Sequence, residues 1–354
     1  MSPVMLYGAP IGTLDSSSSV IKSIQARSLS FAAADVSKTD TTFNAVTAAN
    51  TILIYNGVTT NDTVQAARAA IRITLTDGST VTAVRENGTT NTAVINYTIV
   101  EFASGVNSIQ YGNILTSAGT GTATLSPGMG TNGFVMWLGN SIATAGLGPA
   151  GILSGVTLTN ATTVTASSVA AATTVNFCAV DLDTTVVTSA QNVTKTSTAA
   201  SGTDTVAITA VSDIANCSFF PCGHTNAVAG FGNAYYYGEL TSTILVTWTR
   251  NGTVGTGSRT HWGSVVEWKS SVLAANKTQR VNSPVTLTAA TSATAAITSV
   301  VTTKAFATWN GFKGANANDN AGLNSSILTD ATTVTIAVNT AGTIVAPFEV
   351  TEFA

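Results

Sequence analysis

The chain has 354 residues, of which 44% are hydrophobic and only 9% charged, with a formal net charge of −3. Ordinary soluble domains carry about 25% charged residues, so this surface is expected to be dressed with hydroxyls and amides, while the apolar content is too high for a disordered chain. Nucleic-acid binding is not expected without a basic patch, nor is membrane insertion, because no stretch reaches the roughly 18 apolar residues a spanning helix needs.

In chain order, residues 1–21 read as a non-repeating leader. They lack the basic and apolar regions of a secretory signal, so export through a signal peptide is not expected. Tyr7, Pro10 and the run Ser16–Ser19 suit an extended arm that docks on a larger assembly.

After the leader the sequence repeats. Leu75-Thr-Asp-Gly-Ser-Thr-Val-Thr-Ala83 returns as Leu158–Ala166, Trp248–Thr256 and Leu328–Ile336, at intervals of 83, 90 and 80 residues. Each copy opens near a glutamine (Gln25, Gln110, Gln191, Gln279) and closes on an acid beside an apolar residue (Glu101-Phe102, Asp181-Leu182, Glu267-Trp268, Glu352-Phe353). Between them lies an aromatic-bearing apolar strand: Ile52–Tyr55, Phe134–Trp137, Cys217–Phe220 and Phe306–Trp309. Four markers in one order, four times, define repeats over 22–105, 106–187, 188–275 and 276–354.

Within the first repeat, Ala70–Leu75 and Val81–Arg85 alternate apolar with polar residues around Asp77-Gly78, the signature of a β-hairpin. Ala93–Phe102 has the length and β-branched content of a central strand. Helical periodicity is absent. Six or seven short strands per repeat predict an all-β protein of four tandem immunoglobulin- or fibronectin-like antiparallel β-sandwich domains. Each would bury its own core, as beads on a string, with Tyr55, Trp137, Phe220 and Trp309 as inward anchors. The third repeat is the longest, and its excess ends in Tyr235, Tyr236 and Tyr237. These offer either a contact loop or an edge strand packed on a neighbour.

Groups for chemistry are few. The two histidines, His224 and His261, fall in separate strands with no triad to join, so no catalytic residue is expected. Cys217, Cys222 and His224 fall near but not on the familiar zinc spacings; a short Cys217–Cys222 disulfide across the Phe219-Phe220-Pro221 bend is the alternative, strained if the segment is a straight strand, and the default reading for the cysteines is buried free thiols. No metal or cofactor site is predicted. The four strand-end acids recur at one structural position and read as architecture. Asn-x-Ser/Thr triplets at Asn87, Asn96, Asn160 and Asn251 follow from composition, and Asn96 lies inside a predicted strand.

Ser108–Gly112, the Leu-Thr-x-Ala-Thr-Thr-Val-Thr element and Val94–Phe102 together resemble the tandem β-sandwich repeats of virion proteins from tailed bacteriophages. The likeness covers nearly the whole chain; the third repeat departs most, with Trp248 and Trp268 in place of Leu and Phe. It implies a non-enzymatic structural part of the particle exterior: a capsid decoration protein, head fibre or tail appendage. Its partners would be other virion proteins and copies of itself. Two alternatives are a receptor-binding fibre that contacts the host surface through Tyr235–Tyr237, and a secreted glycan-active protein with β-sandwich modules.

Overall fold

A computed structural model describes residues 19–61, 70–86, 91–117, 119–143, 153–169, 172–198, 202–226, 235–250, 258–281, 285–287, 291–311, 313–314, 324–338 and 344–354. Tyr7 and Pro10 of the expected docking arm lie outside the described residues, as do Asn87 and Asn251. The described chain is all-β: it holds 3-10 turns but no α-helix, and no helix long and apolar enough to cross a membrane.

One succession of six strands recurs in each quarter. The first quarter is β1 (Ile21–Phe31), β2 (Ser37–Asp40), β3 (Thr51–Thr60), β4 (Arg72–Asp77), β5 (Thr80–Val84) and β6 (Ala93–Phe102). The second is β7 (Val106–Thr116), β8 (Thr120–Thr124), β9 (Gly133–Ile142), β10 (Ser154–Asn160), β11 (Thr163–Ser168) and β12 (Thr173–Leu182). The third is β13 (Val187–Ser197), β14 (Thr203–Ala207), β15 (Cys217–Asn226), β16 (Tyr237–Ser242), β17 (Leu245–Thr249) and β18 (Arg259–Trp268). The fourth breaks three of its strands into pairs: β19 (Leu273–Arg280) with β20 (Val285–Leu287), β21 (Ser292–Ala296), β22 (Ala305–Trp309) with β23 (Lys313–Gly314), β24 (Asn324–Asp330), β25 (Thr333–Val338), and β26 (Ile344–Ala346) with β27 (Phe348–Phe353).

Each quarter makes an inner sheet from its first, sixth and third strands, such as β1-β6-β3, and an outer sheet from its second, fifth and fourth, such as β2-β5-β4. All ladders are antiparallel. The predicted hairpin is β4–β5, with Leu75 opposite Val81 and Asp77 opposite Thr80, and the predicted central strand is β6, flanked by β1 and β3. The turn closes because Asp77 Oδ1 accepts from the Ser79 N–H at 2.7 Å; Asn160 and Asp330 do the same for Thr162 and Thr332.

The structure departs from the expectation of separate beads. The outer sheet of one quarter continues into the inner sheet of the next: β4 joins β9, β10 joins β15, and Tyr237 at the start of β16 pairs with Gly311 beyond β22. β24 of the last quarter then joins β3 of the first, so the four quarters close into a ring. Beside that closure Ser19 Oγ donates to the Ala354 carbonyl at 2.8 Å.

The physical reason lies in the inner strands. A strand of an isolated sandwich has one wet face and alternates, whereas β3, β6, β9, β12 and β18 are buried along nearly their whole length, and β15 is buried without a break from Cys217 to Phe220. One face packs on the quarter's own outer sheet and the other on a shared centre. A single apolar cluster accordingly takes in Ile52 and Phe102 from the first quarter, Phe134 and Leu182 from the second, Phe220 and Trp268 from the third, and Phe306 and Phe353 from the fourth. Two smaller clusters lie around Phe177 in the second quarter, joined there by Cys222 and Trp262 of the third, and around Phe219 within the third.

Candidate functional site

Four glycines make the seams between quarters. Gly57, Gly139, Gly223 and Gly311 stand at the points of contact with Ser325, Arg72, Gly155 and Tyr237, each at a φ between +86° and +96°. A Cβ at these positions would lie 2.2, 2.1, 2.1 and 2.3 Å from a carbonyl oxygen of the adjoining strand. Only glycine combines this left-handed backbone with so close an approach. The first three sit in bulges where β3, β9 and β15 slip register against their sixth strands. The pattern Tyr55-Asn-Gly57, Trp137-Leu-Gly139, Pro221-Cys-Gly223, Trp309-Asn-Gly311 was available in the sequence and marks the seams.

Counting back from these glycines aligns the four inner strands around the centre. Tyr55, Trp137, Pro221 and Trp309 occupy one level, and Ile54, Met136, Phe220 and Thr308 the next; together they enclose a gap of about 20 Å³. The expected anchors therefore converge on one another instead of on four cores, and in the third quarter Pro221, not Phe220, holds the equivalent place. Tyr55 packs against Trp137 at 4.9 Å and Trp309 at 6.1 Å between ring centroids, both tilted by about 60°. Phe220 stacks between Phe134 and Phe306 at 6.0 and 6.2 Å. Indole N–H groups fix the two tryptophans: Trp137 Nε1 donates to Ser154 Oγ at 3.3 Å and Trp309 Nε1 to Asn324 Oδ1 at 2.7 Å.

Above this level is a partly open cavity of about 90 Å³ on the side of the third quarter, where Pro221, His224, Tyr235, Tyr236 and Trp248 join Tyr55, Trp137 and Trp309 in the wall. Tyr236 is buried and Tyr235 and Tyr237 are half-buried; the first two precede β16 and Tyr237 opens it, at the seam with the fourth quarter.

Behind that wall sits the main buried polar cluster of the third quarter. Arg259 Nε donates to Asp204 Oδ2 at 2.6 Å and His261 Nε2 lies 3.2 Å from the same oxygen. The two histidines, expected in unrelated strands, are directly opposite each other on β15 and β18, with ring centroids 5.9 Å apart. His261 is also stacked on Trp248 and set edge-on to Tyr236. Burial of the Asp204 carboxyl opposes its ionisation, but the hydrogen bonds from His261 and Arg259 override this and hold it well below the usual carboxylate range. Burial lowers the pKa of His261, which keeps its imidazole neutral. His261 and Arg259 are wholly buried in this network.

The strand-end acids and the glutamines share one task. Glu101, Asp181, Glu267 and Glu352 accept from the backbone N–H of Thr47, Gly130, Ser212 and Val301, in the loop between second and third strands. Gln25, Gln191 and Gln279 each donate to and accept from the backbone of one residue of the same loop, at Asn44, Thr209 and Thr298. Gln110 bridges Ser126 and Pro127.

All three cysteines are free and buried. Cys222 Sγ lies 3.0 Å from the Val135 carbonyl, and burial pushes its pKa to about 12, so it stays a thiol. Among the described residues no group of three His, Cys, Asp or Glu side chains is placed to hold a metal ion. Asn96 is buried in β6, where its Nδ2 donates to Ser325 Oγ across the seam between the first and fourth quarters. Compared with family models, curated proteins and solved structures, the chain matches none.

Proposed function

We propose that this chain is a non-enzymatic structural protein of a tailed-phage particle, carried on the exterior as a capsid decoration or fibre protein. The observation that carries the reading is the use of the polar groups: the four strand-end acids and the four glutamines that open the repeats are engaged in holding loops. A ring with so little free charge suits close packing against capsid or tail proteins and copies of itself, because neighbours repel weakly. Hydroxyl pairs line its outer hairpins at equivalent places, Thr76–Thr82, Thr159–Thr165, Thr241–Thr247 and Thr329–Thr335. The likeness of the repeats to virion proteins supports the same class.

The test is to purify particles, quantify the chain by mass spectrometry and locate it with a labelled antibody under the electron microscope. A fixed copy number per particle and an external label are expected. Recovery only as a free protein, with no copies on particles, would overturn the reading. A host-binding fibre is the second reading, supported by the half-buried Tyr235 and Tyr237 beside the aromatic cavity. Under it, Tyr237→Ala would abolish attachment to host cells while particle assembly continued unchanged.

A further inference from the structure

The four seams are not held alike. On each first strand, the residue after the opening glutamine lies opposite the residue three places before the strand-end acid: Ala26 opposite Thr98, Tyr111 opposite Cys178, Asn192 opposite Ser264 and Arg280 opposite Glu349. The third strands begin at Thr51, Gly133, Cys217 and Ala305, each opposite its own quarter's acid. At three seams the later quarter ties itself to the start of the preceding third strand. Tyr111 Oη donates to the Thr51 carbonyl at 2.8 Å, Asn192 Nδ2 to the Gly133 carbonyl at 3.0 Å and the Arg280 guanidinium to the Cys217 carbonyl at 2.5 Å. The sixth strand adds a second tie two residues further along. The Cys178 thiol meets the Leu53 backbone, Ser264 Oγ donates to the Val135 carbonyl at 2.8 Å, and Glu349 Oε2 accepts from the Phe219 N–H at 2.8 Å.

Among the described residues, the seam between the fourth and first quarters has neither tie. Ala26 carries no donor for the Ala305 carbonyl, and Thr98 Oγ1 accepts from Asn56 Nδ2 of its own quarter at 2.8 Å. Ala26 and Thr98 on one side, and Ala305 and Ala307 on the other, line one cleft. The seam is held at Gly57 and Ser325, by the bond from Asn96 to Ser325, by the exposed bond from Ser19 to Ala354 and by the shared apolar centre. Short links from β6 to β7, β12 to β13 and β18 to β19 also cross the other three seams, whereas the fourth and first quarters are not consecutive in the chain. One net hydrogen bond shifts an equilibrium several-fold, and the parts of a fold open independently according to what holds each. We infer that the ring opens first between its fourth and first quarters, baring the start of β22, while the other three seams stay closed.

The third quarter supplies the reporter for the experiment. Cys217 stands where Ala305 stands in the fourth quarter, and the two are 0% and 1% exposed. Ala305→Cys in the full chain therefore sets the same thiol at the untied seam. Alkylation by iodoacetamide in native buffer is followed for each cysteine by mass spectrometry of its peptide. The introduced thiol is expected to react faster than Cys217 of the same molecule by about tenfold or more. Adding Ala26→Asn, which copies Asn192, should slow the introduced thiol by about threefold or more and leave Cys217 unchanged. Hydrogen exchange of the unaltered chain stands even if Ala305→Cys does not fold: β24 should exchange faster than β4 and β10, the equivalent strands at tied seams. Equal alkylation of the two thiols, a rate that Ala26→Asn does not change, or equal exchange in the three strands would each overturn the proposal.

Discussion

The outer hairpins and the inner strands of this molecule are made from similar residues and obey different rules. In β5, β11, β17 and β25 every second residue is buried, so half of each strand meets water and the alternation is plain. In β6, β12, β18 and β27 almost every residue is buried, including Thr98, Asp181, Ser264 and Thr351. Continuous burial means two covered faces, and a unit of about 80 residues with one outer sheet can cover only one. The second cover has to come from the other quarters, and that need turns a tandem repeat into a closed ring.

Severing the ring is the strongest way to break this contrast. A peptide of residues 106–187 retains its outer hairpin but leaves the central faces of β9 and β12 uncovered. It is expected to show no cooperative thermal transition, while calorimetry of the full chain shows one. Next in size is the seam itself. Gly139→Val sets a branched side chain at φ +86°, with its Cβ 2.1 Å from the Ile71 carbonyl oxygen. The combined strain and clash should cost about 3 kcal/mol or more in urea denaturation.

Removing a loop clamp tests a local feature of one quarter. Glu267→Ala leaves the Ser212 N–H without its carboxylate, and a loss of about 2 kcal/mol is expected by denaturant titration, with part of it recovered in Glu267→Gln. Acid sensitivity sharpens the comparison for the third quarter, whose core holds a histidine. Because burial lowers the folded pKa of His261 below its ordinary value of about 6.5, the unfolded chain takes up a proton that the folded chain refuses, and stability falls as pH drops below that value. Asp204 has its pKa lowered by folding; its contribution is present above the ordinary carboxylate range and is lost as pH falls through that range and below. His261→Gln should flatten the part of the pH–stability curve near pH 6, while an acidic part persists because Arg259 still donates to Asp204. The smallest effect belongs to the outer surface, where Thr165→Val on the hydroxyl ladder should move stability by no more than about 0.5 kcal/mol.

Much of the strand arrangement was legible in the residues. Alternation around Asp77-Gly78 specified the β4–β5 hairpin, and the run Ala93–Phe102 specified a central strand, because both signals are local. The glutamine and acid markers located equivalent positions without revealing their shared role, since the loop they clamp is reached only after the chain has folded back over it. The candidate site was less legible. Its members Tyr55, Trp137, Pro221 and Trp309 come from four quarters, and shifting the third marker by one residue, from Pro221 to Phe220, concealed the missing ring. His224 and His261 are 37 positions apart in sequence and face each other only because β15 and β18 are paired.

By itself the sequence determined that the chain forms β-strands, that they recur in four equivalent sets, where the β4–β5 hairpin turns and that the surface carries hydroxyls in place of charges. These follow from side-chain period and turn chemistry, which act over a few residues. Only the tertiary structure decided that the quarters share their sheets, meet at four glycines and enclose an aromatic centre. Those outcomes depend on covering the second face of the inner strands, and the surfaces that cover it are supplied by other quarters of the chain.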